Sequence, residues 1–461
     1  MLLDLTGCIN LRIDDGVLKD LVNLEELYMR VADEKAIRFT NSNRAELAEL
    51  SKHLFALEAE FFDNNNTPEN MLFTKLRRFR IAMGCGLVAN TDKNMHSFEN
   101  TLRLVTNKNE LLESGMNELF EKTEVLYLEV DGMNDLEEVL LESVHLPRSV
   151  FNNLRVLDVF KCENLRYLFT VPIANGLVKL ERLTVSECSV LEVLARSENG
   201  VAGKIKFQEL KFLSLKSLPK LIGLCNTTNV IELPQLVELE LDGLPNFGSI
   251  YPKKTSATSS MSSNDSAIQP FFNKQVLIPK LEILEIGRMN KLKEIWPYQS
   301  SSSDEVNACM LREIRVSSCD NLVNLFPTNP MSLLGRLEVL DVRECGSIEV
   351  LFNIDMSCVG ETEEYSSSLR EIKVSKLEKL RELWRMKGES SSDILIRTFQ
   401  AVESIEIGKC ERFVNVFTPT VTNFDVKTVM KVSIDGRRTW EETRGNIELV
   451  QNNQEINVIS I

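Results

Sequence analysis

The sequence predicts an α/β solenoid, in which short repeats stack so that their strands form one parallel sheet and irregular or short helical segments return along the other side. Three observations predict it. A five-point apolar template recurs nine times between residues 154 and 413. The spacing inside the template is constant while the spacing between copies is not. Finally, 461 residues with 43% hydrophobic and 26% charged content describe a folded chain that is long for a single globular core.

The template is read from LRVLDVFKCENL, where Leu154, Leu157, Val159, Cys162 and Leu165 give L-x-x-L-x-L-x-x-C-x-x-L, the consensus of a leucine-rich repeat. Copies follow at Leu180, Leu183, Val185, Cys188 and Leu191, at Leu210, Leu213, Leu215, Leu218 and Leu221, and at Leu236, Leu239, Leu241, Leu244 and Phe247. Farther along stand Leu281, Leu284, Ile286, Met289 and Leu292, then Leu311, Ile314, Val316, Cys319 and Leu322, then Leu337, Leu340, Val342, Cys345 and Ile348. The last two copies are Leu369, Ile372, Val374, Leu377 and Leu380, and Val402, Ile405, Ile407, Cys410 and Phe413.

The second template residue falls at 157, 183, 213, 239, 284, 314, 340, 372 and 405, so loops vary in length while the strand does not. The longest step holds a Ser-rich segment at about 253–272, too poor in apolar side chains for a core and read as a loop. Shorter serine tracts at 300–305, 365–368 and 388–393 occupy comparable connections.

Residues 1–150 are read as degenerate repeats. Leu3, Leu5, Cys8 and Leu11 fit, whereas Leu24 and Leu27, Leu76, Phe79 and Ile81, and residues 124–128 fit only in part. Asn43 followed by Glu46 resembles a capping box, and with Leu47 and Leu50 it predicts a helix near 43–52. Leu54, Leu57 and Ala59 then begin another rung. Residues 151–420 form the regular array, and 421–461 hold a last rung at Val429, Val432 and Ile434 followed by a polar cap or tail.

The recurring cysteine shares its slot with Leu218, Leu244, Met289 and Leu377, which no metal site or nucleophile would accept, so it reads as a small buried side chain at the turn. Strand spacing would bring Cys162 to Cys188, or Cys319 to Cys345, near disulfide range. A reducing compartment argues for free thiols instead. A second column, seven residues past the turn, holds Phe169, Tyr251, Trp296, Phe326, Phe352, Trp384 and Phe417 and is read as core packing on the return side.

Composition and motifs narrow the function. A net charge of −15 with no basic run speaks against nucleic acid, and no apolar stretch is long enough to span a membrane. The opening MLLDLTGCINLRIDDG lacks the basic start of a secretory signal, which places the chain in the cytoplasm. No nucleotide-binding, metalloprotease or hydrolase motif occurs, and His53, His96 and His145 are scattered, so neither catalysis nor a cofactor or metal is expected.

What remains is the expected concave face, formed by strand residues between template positions. These are Asp158, Phe160 and Lys161; Thr184, Ser186 and Glu187; Lys216; Glu240 and Asp242; Glu285 and Arg288; Arg315 and Ser317; Asp341, Arg343 and Glu344; Lys373 and Lys376; and Glu406 and Lys409. Charges of both signs among hydroxyls suit a protein partner, through many polar contacts and no deep pocket.

The phrases LLDLTGCINLRIDDGVLKDLVNLEELYM, FNNLRVLDVFKCENLRYLF, LVKLERLTVSECSVLEVL and FQAVESIEIGKCERFVNVFTP resemble the leucine-rich repeats of plant intracellular immune receptors of the coiled-coil, nucleotide-binding class. That resemblance implies recognition of a pathogen effector, or of a guarded host protein altered by one, and restraint of an adjoining nucleotide switch. No phosphate-binding loop is present and Met95, His96, Ser97 is not the switch domain's Met-His-Asp, so ATP binding is not implied. With Met1 directly before the first rung, the expectation is a truncated relative or a separate repeat protein working with a nucleotide-binding domain in cis or in trans. The alternative is a stand-alone adaptor, such as a ubiquitin-ligase substrate receptor, which would need an F-box-like helical segment.

Overall fold

The computed structural model describes residues 1–8, 11–29, 40–61, 71–85, 99–140, 150–197, 204–225, 230–250, 271–272, 276–296, 310–328, 330–355, 367–387, 401–417, 431–434 and 437–440. The chain forms two compact units, Met1–Leu210 and Lys211–Ile461.

In the first unit, β1 (Leu2–Asp4), β2 (Glu26–Met29), β3 (Ala56–Phe61), β4 (Arg78–Met83), β5 (Thr101–Asn107), β6 (Val125–Asp131), β7 (Val156–Phe160) and β8 (Arg182–Ser186) pair in parallel, each with the next. The second unit continues with β9 (Phe212–Lys216), β10 (Glu238–Asp242), β11 (Ile283–Gly287), β12 (Glu313–Ser317), β13 (Val339–Arg343), β14 (Glu371–Ser375), β15 (Ser404–Gly408) and β16 (Lys431–Ile434), again parallel neighbour to neighbour. An antiparallel strand β17 (Arg437–Trp440) closes the series, within the stretch expected to be a cap or tail. Chain-order parallel pairing of evenly shaped rungs is the leucine-rich-repeat solenoid the template predicts.

Register explains the template. Leu239, Leu284, Ile314, Leu340, Ile372 and Ile405 stand opposite one another on successive strands and are buried, so each of these side chains packs beside its equivalents in the neighbouring rungs. One rung alone leaves that face wet; only stacking covers it.

The two-residue gap between the last strand leucine and the cysteine has its own cause. With strict alternation Val159 points in, Phe160 out and Lys161 in. Instead Lys161 has φ 49 and stays exposed, and Cys162 is buried. The left-handed residue turns two successive side chains to solvent and puts the next one into the core. The same conformation recurs at Glu187, Ser217, Arg288, Ser318, Glu344, Lys376 and Lys409, with φ between 50 and 58, and at Gly243 with φ 68. A left-handed non-glycine residue costs roughly 1–2 kcal/mol, and the ladder offsets it. Arg288, Ser318, Glu344 and Lys376 donate their backbone N–H to the following strand at 2.8–2.9 Å.

The cysteines behave as rung residues. Cys162, Cys188, Cys319 and Cys345 are fully buried free thiols, whereas Cys410 is half-buried. Cys8 departs from the expectation: it is exposed, because no rung covers it among the described residues. The neighbouring Cys188 thiol and burial push Cys162 above the ordinary thiol range, which keeps it protonated and inert.

On the return side, Phe169, Trp296, Phe326, Phe352 and Trp384 are buried as the aromatic column predicts, with Ala195 and Cys225 buried in the same slot. Trp296, Phe326, Phe352 and Trp384 stack in succession at centroid separations of 5.8, 5.0 and 4.7 Å. Tyr251, the Phe417 side chain and most of the serine tracts lie outside the described residues; Phe271 and Phe272, at the end of segment 253–272, are buried.

Between β2 and β3 lies α1 (Asn41–Ser51), close to the expected 43–52 but capped differently. Thr40 is the cap: its Oγ1 accepts from the Asn43 N–H at 3.1 Å, and Asn43 Oδ1 accepts from the Thr40 N–H at 3.2 Å. Asn43 is thus the third-position partner rather than the cap. Glu46 does other work, its carboxylate accepting from the backbone N–H groups of Gly16, Leu18 and Lys19 at 2.7, 3.1 and 3.1 Å. Two rungs joined by a long link are thereby pinned together.

Candidate polar face of the parallel sheet

Three columns of side chains cover the solvent-facing side of the second unit's sheet. The third strand position runs Ser214, Glu240, Glu285, Arg315, Asp341, Lys373, Glu406; the fifth runs Lys216, Asp242, Gly287, Ser317, Arg343, Ser375, Gly408. The left-handed column beside them holds Ser217, Gly243, Arg288, Ser318, Glu344, Lys376 and Lys409. Strand spacing of about 4.8 Å sets each side chain beside its equivalents, and alternation sets residues two apart on one strand on the same side, so opposite charges meet both between adjacent rungs and within one.

They meet in a regular fashion. Lys216 pairs with Glu240 at 2.6 Å, and Arg288 Nε donates to Asp242 Oδ1 at 2.8 Å. Arg315 bridges to Glu285 and, at 2.5 Å, to Glu313. Arg343 forks onto Asp341 at 2.8 and 2.6 Å, and Lys373 pairs with Glu371 at 2.7 Å. Glu344 accepts from Lys376 and, at 2.8 Å, from Ser318 Oγ. These bonds raise the pKa of Arg288, Arg343 and Lys373, and the bond to Lys376 lowers that of Glu344. All four groups are charged at neutral pH.

An open depression of about 750 Å³ lies on this face, floored by Gly287, Ser317 and Ser375 and walled by Glu240, Asp242, Glu285, Arg288, Arg315, Asp341, Arg343, Glu344 and Lys376. A Cβ at Gly287 would sit 2.5 Å from Asp242 Oδ1, so any larger residue there would make that carboxylate shift. The face therefore presents compensated charge, hydroxyls and backbone. Among the described residues no group of three or more His, Cys, Asp or Glu is placed to hold a metal.

The sequence-named residues thus fall into three sets. Glu240, Asp242, Glu285, Arg288, Arg315, Ser317, Asp341, Arg343, Glu344 and Lys376 are brought together around the depression. Lys216, Lys373, Glu406 and Lys409 share the columns but lie outside its lining. Asp158, Phe160, Lys161, Thr184, Ser186 and Glu187 sit on β7, β8 and their turns in the first unit. There Lys161 pairs with Glu187 at 3.8 Å and lies 4.6 Å from the Phe160 ring centroid. Burial raises the Asp158 pKa, opposed by a hydrogen bond from Thr184.

Sequence reading missed Arg103 and Tyr127 on the same face of the first unit. Tyr127 stands opposite Asp158 in register, its ring 6.5 Å from that of Phe160, and the Arg103 guanidinium lies 4.2 Å from its centroid. Burial pushes the Tyr127 hydroxyl up to about 12, so it remains a donor, here to Glu129 at 3.2 Å. The available signal was the alternation of Leu126, Leu128 and Val130 around Tyr127 and Glu129.

A family model described as the leucine-rich repeats of plant disease resistance protein RPS2-like matches residues 93–189, 124–263 and 280–434, more than half of the chain. No curated protein matches at a significant level. Among solved structures, a plant peptide hormone receptor, RGFR1 in complex with RGF2, is similar at 10% identity and a TM-score of 0.20 over 83% of this chain and 79% of that one, a likeness that carries no argument.

Proposed function

The chain belongs to that family of RPS2-like plant disease resistance leucine-rich repeats, and from this premise we propose that it is a non-catalytic recognition module of plant innate immunity. It senses a pathogen effector, or a host protein altered by one, in the cytoplasm, and restrains a nucleotide-binding switch supplied in cis or in trans. Among the described residues no helix is long and apolar enough to cross a membrane.

The observation that carries the reading is the ion-paired face around the second unit's depression. Exposed pairs of this kind contribute about 0–1 kcal/mol each to stability, so fold maintenance does not account for so ordered a set. Their worth is specificity: a partner must match a fixed pattern of charge, and mismatched like charges cost far more than matched ones return.

The test is a triple substitution, Asp341→Arg, Arg343→Asp and Glu344→Arg, in the intact protein expressed in plant tissue. The first two changes rebuild the local ion pair in reverse, so folding should hold to within about 1 kcal/mol. Pathogen-triggered defence should be lost. A full response from a folded triple variant would overturn the assignment of this face.

A further inference from the structure

We propose that Arg103, Tyr127 and Phe160, on β5, β6 and β7 of the first unit, form an anchoring subsite for a protein partner that brings a carboxylate next to an apolar side chain. This rests on the reading above that the chain recognises proteins through the open face of its sheet, and it assigns part of that face a distinct chemistry.

Aromatic side chains set the patch apart. None occurs at the third, fifth or left-handed positions of β9 to β15, whereas Tyr127 and Phe160 lie side by side here at 6.5 Å. Both rings are half-buried and held, Tyr127 by its bond to Glu129 and by Arg103, Phe160 by Lys161. Rigid aromatic surface orders at little entropic cost, which is why tyrosine and arginine recur at the energetic centres of interfaces.

Arg103 supplies the charge argument. The cations of the second unit's depression are all paired with carboxylates, and in the first unit Lys161 is paired with Glu187 and Arg78 with Glu26. Arg103 makes no ion pair among the described residues, and its Nε is buried without a hydrogen-bond partner. The neighbouring acids have partners of their own: Glu129 accepts from Tyr127, and the Asp158 carboxyl, which feels the charges of Arg182 and Arg103, accepts from Thr184. The guanidinium carbon lies 4.2 Å from the Tyr127 ring centroid, and the planar fork of N–H donors is matched best by a carboxylate. A basic partner side chain is disfavoured because the two rings already carry Arg103 and Lys161.

The test pans a random-peptide display library on the full chain and measures the selected peptides by titration calorimetry. Asp or Glu beside an aliphatic or aromatic residue should be enriched. Tyr127→Ala and Arg103→Ala should each weaken binding at least about tenfold. Arg103→Lys, which keeps the charge but not the planar fork, should weaken it too without altering the melting curve. Lack of enrichment, enrichment of basic peptides, or binding indifferent to these variants would each overturn the proposal. The Asp341, Arg343, Glu344 variant separates the two readings: if it abolishes defence while the Arg103 variants do nothing, only the subsite fails.

Discussion

Replacing Phe352 by leucine tests what the return side contributes. Phe352 is fully buried between Phe326, 5.0 Å away and 20° from parallel, and Trp384, 4.7 Å away and 22° from parallel. Leucine retains much of the apolar area, so the chief loss is two ring contacts at about 0.5–1.5 kcal/mol each, about 1–3 kcal/mol together. With a urea dependence of about 3 kcal/mol per molar, the midpoint should fall by roughly 0.3–1 M. Tryptophan emission is the right probe, because Trp384 and Trp296 lie in the stack and should shift toward the red as it loosens. Phe352→Ala should cost more, about 3–5 kcal/mol. A Phe352→Leu midpoint unchanged to within about 0.1 M would mean that the stack contributes nothing beyond filled volume, and the reasoning would be wrong.

Two further outcomes are expected. Burial disfavours the Glu46 carboxylate, yet its bonds from Gly16, Ser42, Lys19 and Leu18 hold it below the usual range; its contribution is therefore present above the unfolded value and lost as pH falls through the folded one. Corrected for the intrinsic exchange rate, protection at Gly16, Leu18 and Lys19 should fall as acid protonates the carboxylate, and Glu46→Gln should have lost about 1–3 kcal/mol of it already at neutral pH, with that acid step gone; an identical acid profile in both proteins would contradict this. Gly243→Ala places a Cβ 3.3 Å from the backbone of Ser217 at φ 68, which should destabilise by about 1–2 kcal/mol in a urea titration; an unchanged midpoint would remove the steric argument.

How much was legible in the sequence follows from range. The strands from β7 to β15 were readable because inward leucines repeat every second residue and the turn follows at a fixed distance. β5 was not, since Leu102 and Leu104 stand without the template's flanking residues, and Arg103 was lost with it; Tyr127 was passed over because its strand fits the template only in part. The left-handed column escaped because glycine usually marks that conformation and only Gly243 does so among these rungs; elsewhere the ladder imposes it on Lys, Glu, Ser and Arg. The polar face was legible as a set of residues but not as pairs. Arg288 finds Asp242 from 46 residues away, a separation set by loop lengths that carry no pairing signal. The helix cap was misplaced because Thr40 and Asn43 both suit a cap, and only the fold selects Thr40.

The most direct test is amine cross-linking of the full chain in challenged plant tissue, read by mass spectrometry against any partner protein. Lys161, Lys216, Lys373, Lys376 and Lys409 lie on or beside the open face, whereas Lys220, Lys291 and Lys379 are exposed two residues past the turn. The account predicts partner cross-links from the first group that disappear in the Asp341, Arg343, Glu344 variant. Cross-links confined to Lys220, Lys291 and Lys379 would place recognition elsewhere and contradict it.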